Sequence, residues 1–133
     1  MRKIILFVLM YLPIVVYSTE VVFEGIPLKK IETNENSSNT SLLTKSQSSE
    51  YRVTIIKEGE NYYWASRGNV QLVPIQSGFY ITFLAVTGAG YVRTLTPEAR
   101  NLFKQMPKEE QEKQFLYFEH LVNQMGSITY YGR

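Results

Sequence analysis

The feature that most constrains the fold is the stretch 62–94, YYWASRGNVQLVPIQSGFYITFLAVTGAGYVRT. Its aromatic and β-branched residues are separated by short breaks of Gly, Asn, Pro and Ser. Aromatic and β-branched residues favour strands, and breaks of this composition favour tight turns. Together with the β-rich run 51–57, the stretch predicts about five strands joined by short turns, which is typical of an antiparallel meander.

After residue 95 the strand pattern gives way to helix signals. Thr96 is a suitable N-cap and Pro97 fits a first helical position, so a helix is predicted to begin there. A second helix is predicted over 107–125, because Pro107 suits a helix start and Gly126 suits a helix end. The apolar stripe of this second helix would be Phe115, Phe118, Leu121, Val122 and Met125. The fold class predicted is therefore α+β, an antiparallel meander of about five strands followed by two C-terminal helices packed on one face.

The N-terminal part predicts export. Residues 1–18 have two basic residues at the start, then an uncharged and mostly apolar run that is short for a membrane span, which is the layout of a secretory signal peptide. We expect cleavage after Ser18; an uncleaved anchor is the competing interpretation. The stretch 19–50 is rich in Ser, Thr and Asn and is predicted to be a flexible tether. Its short apolar piece, 20–31, could pair with the domain or dock a neighbour. A single α+β domain is then expected over 51–133, in the periplasm or outside the cell.

Composition excludes several kinds of chemistry. The chain has no cysteine, no aspartate and one histidine, which rules out a Ser-His-Asp triad, a Cys-His pair, a thiolate metal site and a site with two histidines in one chain. No metal or cofactor site is predicted. Without Arg2 and Lys3 the 14 basic residues fall to the same number as the 12 acidic ones. A neutral mature chain gives no electrostatic reason to expect a nucleic acid partner, and no stable membrane span is expected after cleavage.

One acid stands among aromatic residues and is the best candidate for catalysis. Glu119 lies in the sequence FLYFEH, where burial could raise its pKa, and His120 follows it directly. A small envelope hydrolase acting on glycans or peptides could use this pair. The alternative is that Glu119 has a structural partner such as Arg67, Arg93 or Arg100, and that His120 faces solvent on the predicted helix.

The aromatic residues predict a binding surface. A sheet buries one side of each strand, so the many tyrosines of the mature chain cannot all lie in one core. Arginine in a turn or a strand can bind carboxylate or phosphate groups. The TGAG sequence at 87–90 indicates a turn rather than a phosphate loop, since no Lys-Ser or Lys-Thr follows it. The candidate binding residues are Tyr62, Trp64, Arg67, Tyr80, Tyr91 and Arg93.

These features together favour a small, exported, non-enzymatic interaction module of a bacterial cell envelope. Its partner is expected to be an envelope or secreted protein, a glycan, or a second copy of the chain. The glycan- or peptide-active hydrolase centred on Glu119 and His120 is one alternative function. A secreted effector or inhibitor is another, and the sequence does not separate it from the first interpretation.

Overall fold

The computed structural model describes residues 18–133. The strands are β1 (Thr19–Gly25), β2 (Pro27–Asn34), β3 (Ser38–Leu42), β4 (Val53–Glu58), β5 (Asn61–Trp64), β6 (Val70–Ser77), β7 (Tyr80–Ala85), β8 (Gly90–Leu95), β9 (Tyr117–Asn123) and β10 (Gly126–Gly132). The helices are α1 (Lys45–Glu50), α2 (Pro97–Lys104) and α3 (Lys108–Glu112), and a 3₁₀ turn spans Ala65–Arg67. Apart from Ser18, the predicted signal segment 1–18 lies outside the described residues. No helix among those residues is long and apolar enough to cross a membrane.

The ten strands form one antiparallel sheet in the order β1-β4-β5-β6-β7-β8-β9-β10-β2-β3. The predicted fold class, a meander of about five strands with two C-terminal helices packed on one face, is therefore wrong. The strands β4 to β8 follow one another in chain order within the sheet. The difference is that β9 and β10 continue the sheet beyond β8, and that the N-terminal strands complete it.

The stretch 19–50, predicted as a flexible tether, instead forms β1, β2, β3 and α1. Its polar composition suggests disorder, but β1 pairs with β4 and β2 pairs with β10. The hydrogen bonds of this pairing satisfy the backbone N–H and C=O groups of the stretch. Phe23 and Pro27 bury their side chains while most of the polar residues face solvent. Helix α1 is short, and the side chain of Thr44 caps its start by accepting from the Gln47 backbone N–H.

The predicted helix over 107–125 is also wrong, since α3 ends at Glu112 and strand β9 begins at Tyr117. The sequence YFEHLV fits a strand as well as a helix, because every second residue can face the core. Pairing with β8 on one side and β10 on the other decides in favour of the strand. Helix α2, by contrast, begins as predicted, and the Thr96 hydroxyl accepts from the Ala99 backbone N–H.

The N-terminal arm joins the two sides of the sheet. Only Ile26 separates β1, which pairs with β4, from β2, which pairs with β10. Ile26 donates its N–H to the carbonyl of Arg133 at 2.9 Å, and Arg133 donates back to Ile26 at 3.1 Å. The sheet curls so that one face encloses the core, here called the inner face, and the other becomes the outer face. The core residues are Phe23, Val53, Ile55, Trp64, Leu72, Phe83, Ala85, Val92 and Tyr117.

Gly90 is required where β8 meets β9. Its φ is +150°, and a Cβ added to it would collide with the carbonyl oxygen of His120. Gly88 is a matched control, because its φ of +79° is also unfavourable for other residues but nothing lies within 4 Å of an added Cβ. We expect Gly88→Ala to cost about 1 kcal/mol in the free energy of unfolding, and Gly90→Ala to cost about 2 kcal/mol more.

Urea unfolding followed by the fluorescence of Trp64, the one tryptophan in the chain, measures both values. Equal losses for the two variants would show that the close approach of Gly90 to β9 does not exist.

Candidate functional site

A buried ion pair crosses the inner face. The Glu119 side chain is 0% exposed and accepts from three N–H groups of two residues. Trp64 donates its indole N–H to Oε2 at 2.7 Å, and Arg67 donates Nε to the same oxygen at 3.1 Å. Arg67 also donates Nη2 to Oε1 at 2.6 Å. This two-point contact is the strongest geometry for an arginine and a carboxylate, and it identifies Arg67 as the structural partner of Glu119.

The guanidinium of Arg67 is covered by an aromatic stack. Its central carbon lies 5.5 Å from the centre of the Tyr130 ring, and Tyr130 stacks on Tyr51 with ring centres 5.4 Å apart. The ammonium of Lys30 lies 5.4 Å from the centre of Tyr51 on the same layer. The stack therefore has a cation at each end and two rings between them, and each cation is attracted to the ring next to it.

Glu119, Trp64 and Arg67 are here called the inner cluster, and the electrostatics of this cluster follow from its burial. Burial raises the pKa of Glu119, while the charge and N–H groups of Arg67 and the N–H of Trp64 pull that pKa back down. The nearby Tyr117 hydroxyl is buried without a hydrogen-bond partner. Burial, and then the negative charge of Glu119, raise the pKa of Tyr117 far above its usual range. The phenol is therefore neutral at physiological pH.

The pair Glu119 and His120 cannot act on one substrate. Successive residues of a strand point to opposite faces, so Glu119 lies inside while His120 lies on the outer face. The His120 ring is 5.4 Å from the ring of Tyr91, and its Nδ1 is 2.9 Å from the hydroxyl oxygen of Thr129. This geometry separates the two residues on which the hydrolase alternative is centred, and that alternative stays a prediction.

The outer face carries two adjacent rows of paired residues. The first, here called the aromatic row, is Thr82, Arg93, Phe118, Tyr131 and Lys29, on β7, β8, β9, β10 and β2 in that order. The second, called the histidine row, is Leu84, Tyr91, His120, Thr129 and Ile31 on the same strands. Because each row follows the register of the sheet, its members are neighbours in space although they come from distant parts of the chain.

The rings of these two rows contact one another. Phe118 lies against Tyr131 with ring centres 5.9 Å apart and against Tyr91 at 5.8 Å. Phe115, just before β9, adds a further ring 5.6 Å from Tyr131. Centre distances of this size are favourable for aromatic pairs. The cluster is therefore preassembled on the outside of the sheet, where it leaves Phe115 exposed and the other three rings partly exposed.

Two cations frame the aromatic row. The guanidinium carbon of Arg93 lies 5.5 Å from the centre of Phe118, and the ammonium of Lys29 lies 5.6 Å from the centre of Tyr131. Within the described part of the chain neither cation forms an ion pair. A surface cavity of about 380 Å³ beside Arg93 is lined by Tyr80, Arg93, Gln114, Phe115, Leu116, Tyr117, Phe118 and Tyr131.

The six binding residues named from the sequence lie on both faces. Trp64 and Arg67 belong to the inner cluster, and the Tyr62 ring packs 5.6 Å from Phe83 against the core. Tyr80, Tyr91 and Arg93 lie on the outer face, where Tyr91 and Arg93 are neighbours and Tyr80 lines the cavity. They therefore do not form one site.

The sequence patterns do not indicate Phe118, His120 or Lys29 as members of a surface. They predict a helix at Phe118 and His120 and a tether at Lys29. The alternation from Tyr117 to Val122 was the signal that could have placed Phe118 and His120 on one side of a strand. No group of three or more His, Asp or Glu side chains that could hold a metal ion exists within residues 18–133.

Comparison with known proteins gives no relative. No protein-family model, no curated protein and no solved structure matches the chain significantly.

The inner cluster should respond to substitution as a coupled unit. Arg67→Met leaves the buried carboxylate of Glu119 without its counter-charge, and we expect a loss of about 3–5 kcal/mol in the free energy of unfolding. In the double variant Arg67→Met/Glu119→Leu no charge remains buried, so about 2 kcal/mol should be recovered relative to Arg67→Met alone. Chemical denaturation of the two single variants and the double variant gives this coupling. Strictly additive losses would contradict a direct ion pair.

Proposed function

We propose that this protein is an exported, non-enzymatic binding module of a bacterial cell envelope, and that it binds a protein partner through its outer face. The observation that carries the proposal is the preassembled cluster of Tyr91, Phe118, Tyr131 and Phe115 on the outside of the sheet, framed by Arg93 and Lys29. The inner cluster has a complete structural explanation. The outer cluster has none within residues 18–133.

The composition of the outer face matches the centre of protein interfaces. Tyrosine, phenylalanine and arginine are enriched there, and they carry most of the binding energy where alanine scans have been made. The rings hold one another in place, so little side-chain entropy is lost when a partner binds. The outer face therefore offers a partner a rigid surface to bind.

The neighbouring residues favour a polypeptide over a glycan. Leu84 lies beside Tyr91 in the histidine row and is 43% exposed. Val73 of β6 pairs with Leu84 and is 46% exposed. Val122 adds a third exposed aliphatic side chain on β9. Aliphatic surface next to the rings can be covered by apolar side chains of another protein. A sugar presents hydroxyl groups, which aliphatic side chains cannot pair.

Site-specific photocrosslinking in the native host tests the proposal. A photoreactive residue replaces Thr129, which lies between His120 and Ile31 in the histidine row. The matched control replaces Thr54, a half-exposed threonine that also points outward but lies on β4, paired with Glu24 of β1. We expect a discrete crosslinked protein band from position 129 and none from position 54.

Two further results would contradict the proposal. Equal crosslinking from both positions would show that the outer rows have no preferred role. A crosslink from position 129 to a glycan, with no protein attached, would replace the protein partner by a carbohydrate ligand.

A further inference from the structure

Arg93 retains hydrogen-bonding capacity that the described residues do not use. Its Nε donates to the hydroxyl oxygen of Thr82 at 3.1 Å, which fixes the orientation of the guanidinium. The rings of Phe118 and Tyr91 lie 5.5 Å and 6.0 Å from the guanidinium carbon. Among residues 18–133 no carboxylate pairs with this group. The rings of Tyr91, Phe118, Tyr131 and Phe115 are here called the aromatic platform. The guanidinium of Arg93 is an oriented cation on this platform, and the N–H groups that the described residues leave free can bind an external anion.

The cavity beside Arg93 gives that anion a place to bind. It measures about 380 Å³ and its lining combines the guanidinium with the rings of Tyr80, Phe115, Phe118 and Tyr131. A cavity with mostly aromatic walls and one charged group is typical of a specific recognition pocket. Its chemistry fits an acidic group carried next to an apolar one.

The second cation lies on the far side of the same rings. Lys29 is three strands away from Arg93 in the aromatic row, which corresponds to roughly 14–15 Å at the usual strand spacing. Its ammonium is 5.6 Å from the centre of Tyr131 and 5.9 Å from that of Phe115. The two cations therefore lie at opposite ends of one aromatic platform.

Acidic residues are missing from this surface. The chain has 12 of them, yet none occupies an outward position on β7, β8, β9, β10 or β2. On β9 the single acid points inward to Arg67, and on β2 Glu32 pairs with Lys30. The chain has equal numbers of acidic and basic residues after Ser18. Because the acidic residues lie elsewhere, the outward positions of these five strands form a positively charged, apolar surface.

We infer that the partner presents an extended acidic segment to this platform, with one carboxylate in the Arg93 cavity and a second one near Lys29. This inference rests on the proposed binding function and adds the chemical class of the ligand. In an extended strand the residues i and i+4 are about 13 Å apart, which is close to the spacing of the strand positions that carry the two cations. The residue between them would place an apolar side chain on Phe118 and Tyr131.

Synthetic peptides test the inference without knowledge of the natural partner. The acidic probe is an extended peptide with glutamate at its first and fifth positions and leucine at the third, and the neutral probe has glutamine in place of both glutamates. Binding to the chain from residue 19 onward is measured by NMR chemical-shift titration. We expect the acidic probe to bind at least about tenfold more tightly than the neutral one, with shifts centred on β8, β9 and β10.

Variants assign the effect to the two cations. Arg93→Gln and Lys29→Gln should each weaken binding of the acidic probe, the arginine variant by about tenfold. Arg93→Lys should restore only part of the affinity, because lysine lacks the two-point geometry. The matched control is Lys57→Gln, which removes a lysine that also lies 5.6 Å from a tyrosine ring, that of Tyr62, but outside the aromatic row. This variant should bind like the unmodified chain.

The outcomes separate this inference from the proposed function. Equal binding of the two probes at β8–β10 overturns the acidic ligand and leaves an apolar binding surface intact. No binding of either probe, or binding of the acidic probe that Arg93→Gln does not weaken, also overturns the inference. The proposed function is judged separately, by the crosslinking from positions 129 and 54 in the host.

Discussion

The structure depends on the buried contact of Glu119 with Arg67 and Trp64. Glu119 lies on β9 and Trp64 on β5, and three strands separate them in the sheet order. Their side chains can meet only because the sheet curls around its inner face. Burying a carboxylate costs free energy unless the carboxylate is fully paired. Only the curled sheet lets the three N–H groups reach the two oxygens of Glu119, so the ion pair favours the curled form. The contact therefore specifies a closed interior rather than a flat sheet.

The same constraint explains the outer face. Once Glu119 is fixed inward, alternation along β9 places Phe118 and His120 outward, and the register with β8 and β10 brings Tyr91, Arg93 and Tyr131 beside them. One strand thus supplies a structural residue to the inside and, on the proposed function, recognition residues to the outside. The inner residues have every polar contact they need apart from the Tyr117 hydroxyl, whereas Arg93 and Lys29 outside have no ion-pair partner among the described residues. These two unpaired cations are the reason that we propose a binding function for the outer face.

The parts of the fold that depend on local sequence signals could be predicted from the sequence. The strand runs and turn residues between 51 and 95 predict β4 to β8, and Thr96 with Pro97 predicts the start of α2. The missed strands are those whose evidence is tertiary: β1 to β3 are polar and become strands by pairing with β4 and β10, and β9 has a pattern that also fits a helix. The candidate surface divides in the same way. Tyr91 and Arg93 lie on correctly predicted strands, whereas Phe118 and Lys29 join them only through the register of the complete sheet.

We propose that the inner face of β9 supports the fold and that its outer face binds a partner. Neighbouring residues test it in one measurement, the crosslink yield per folded molecule in cells, with the photoreactive residue at position 129. We expect Glu119→Gln to lower the amount of folded protein and leave the yield per folded molecule unchanged. Phe118→Ser should keep most of the protein folded and lower that yield several-fold. The reverse pattern, in which Glu119→Gln abolishes the crosslink of the folded protein and Phe118→Ser does not affect it, would contradict the account.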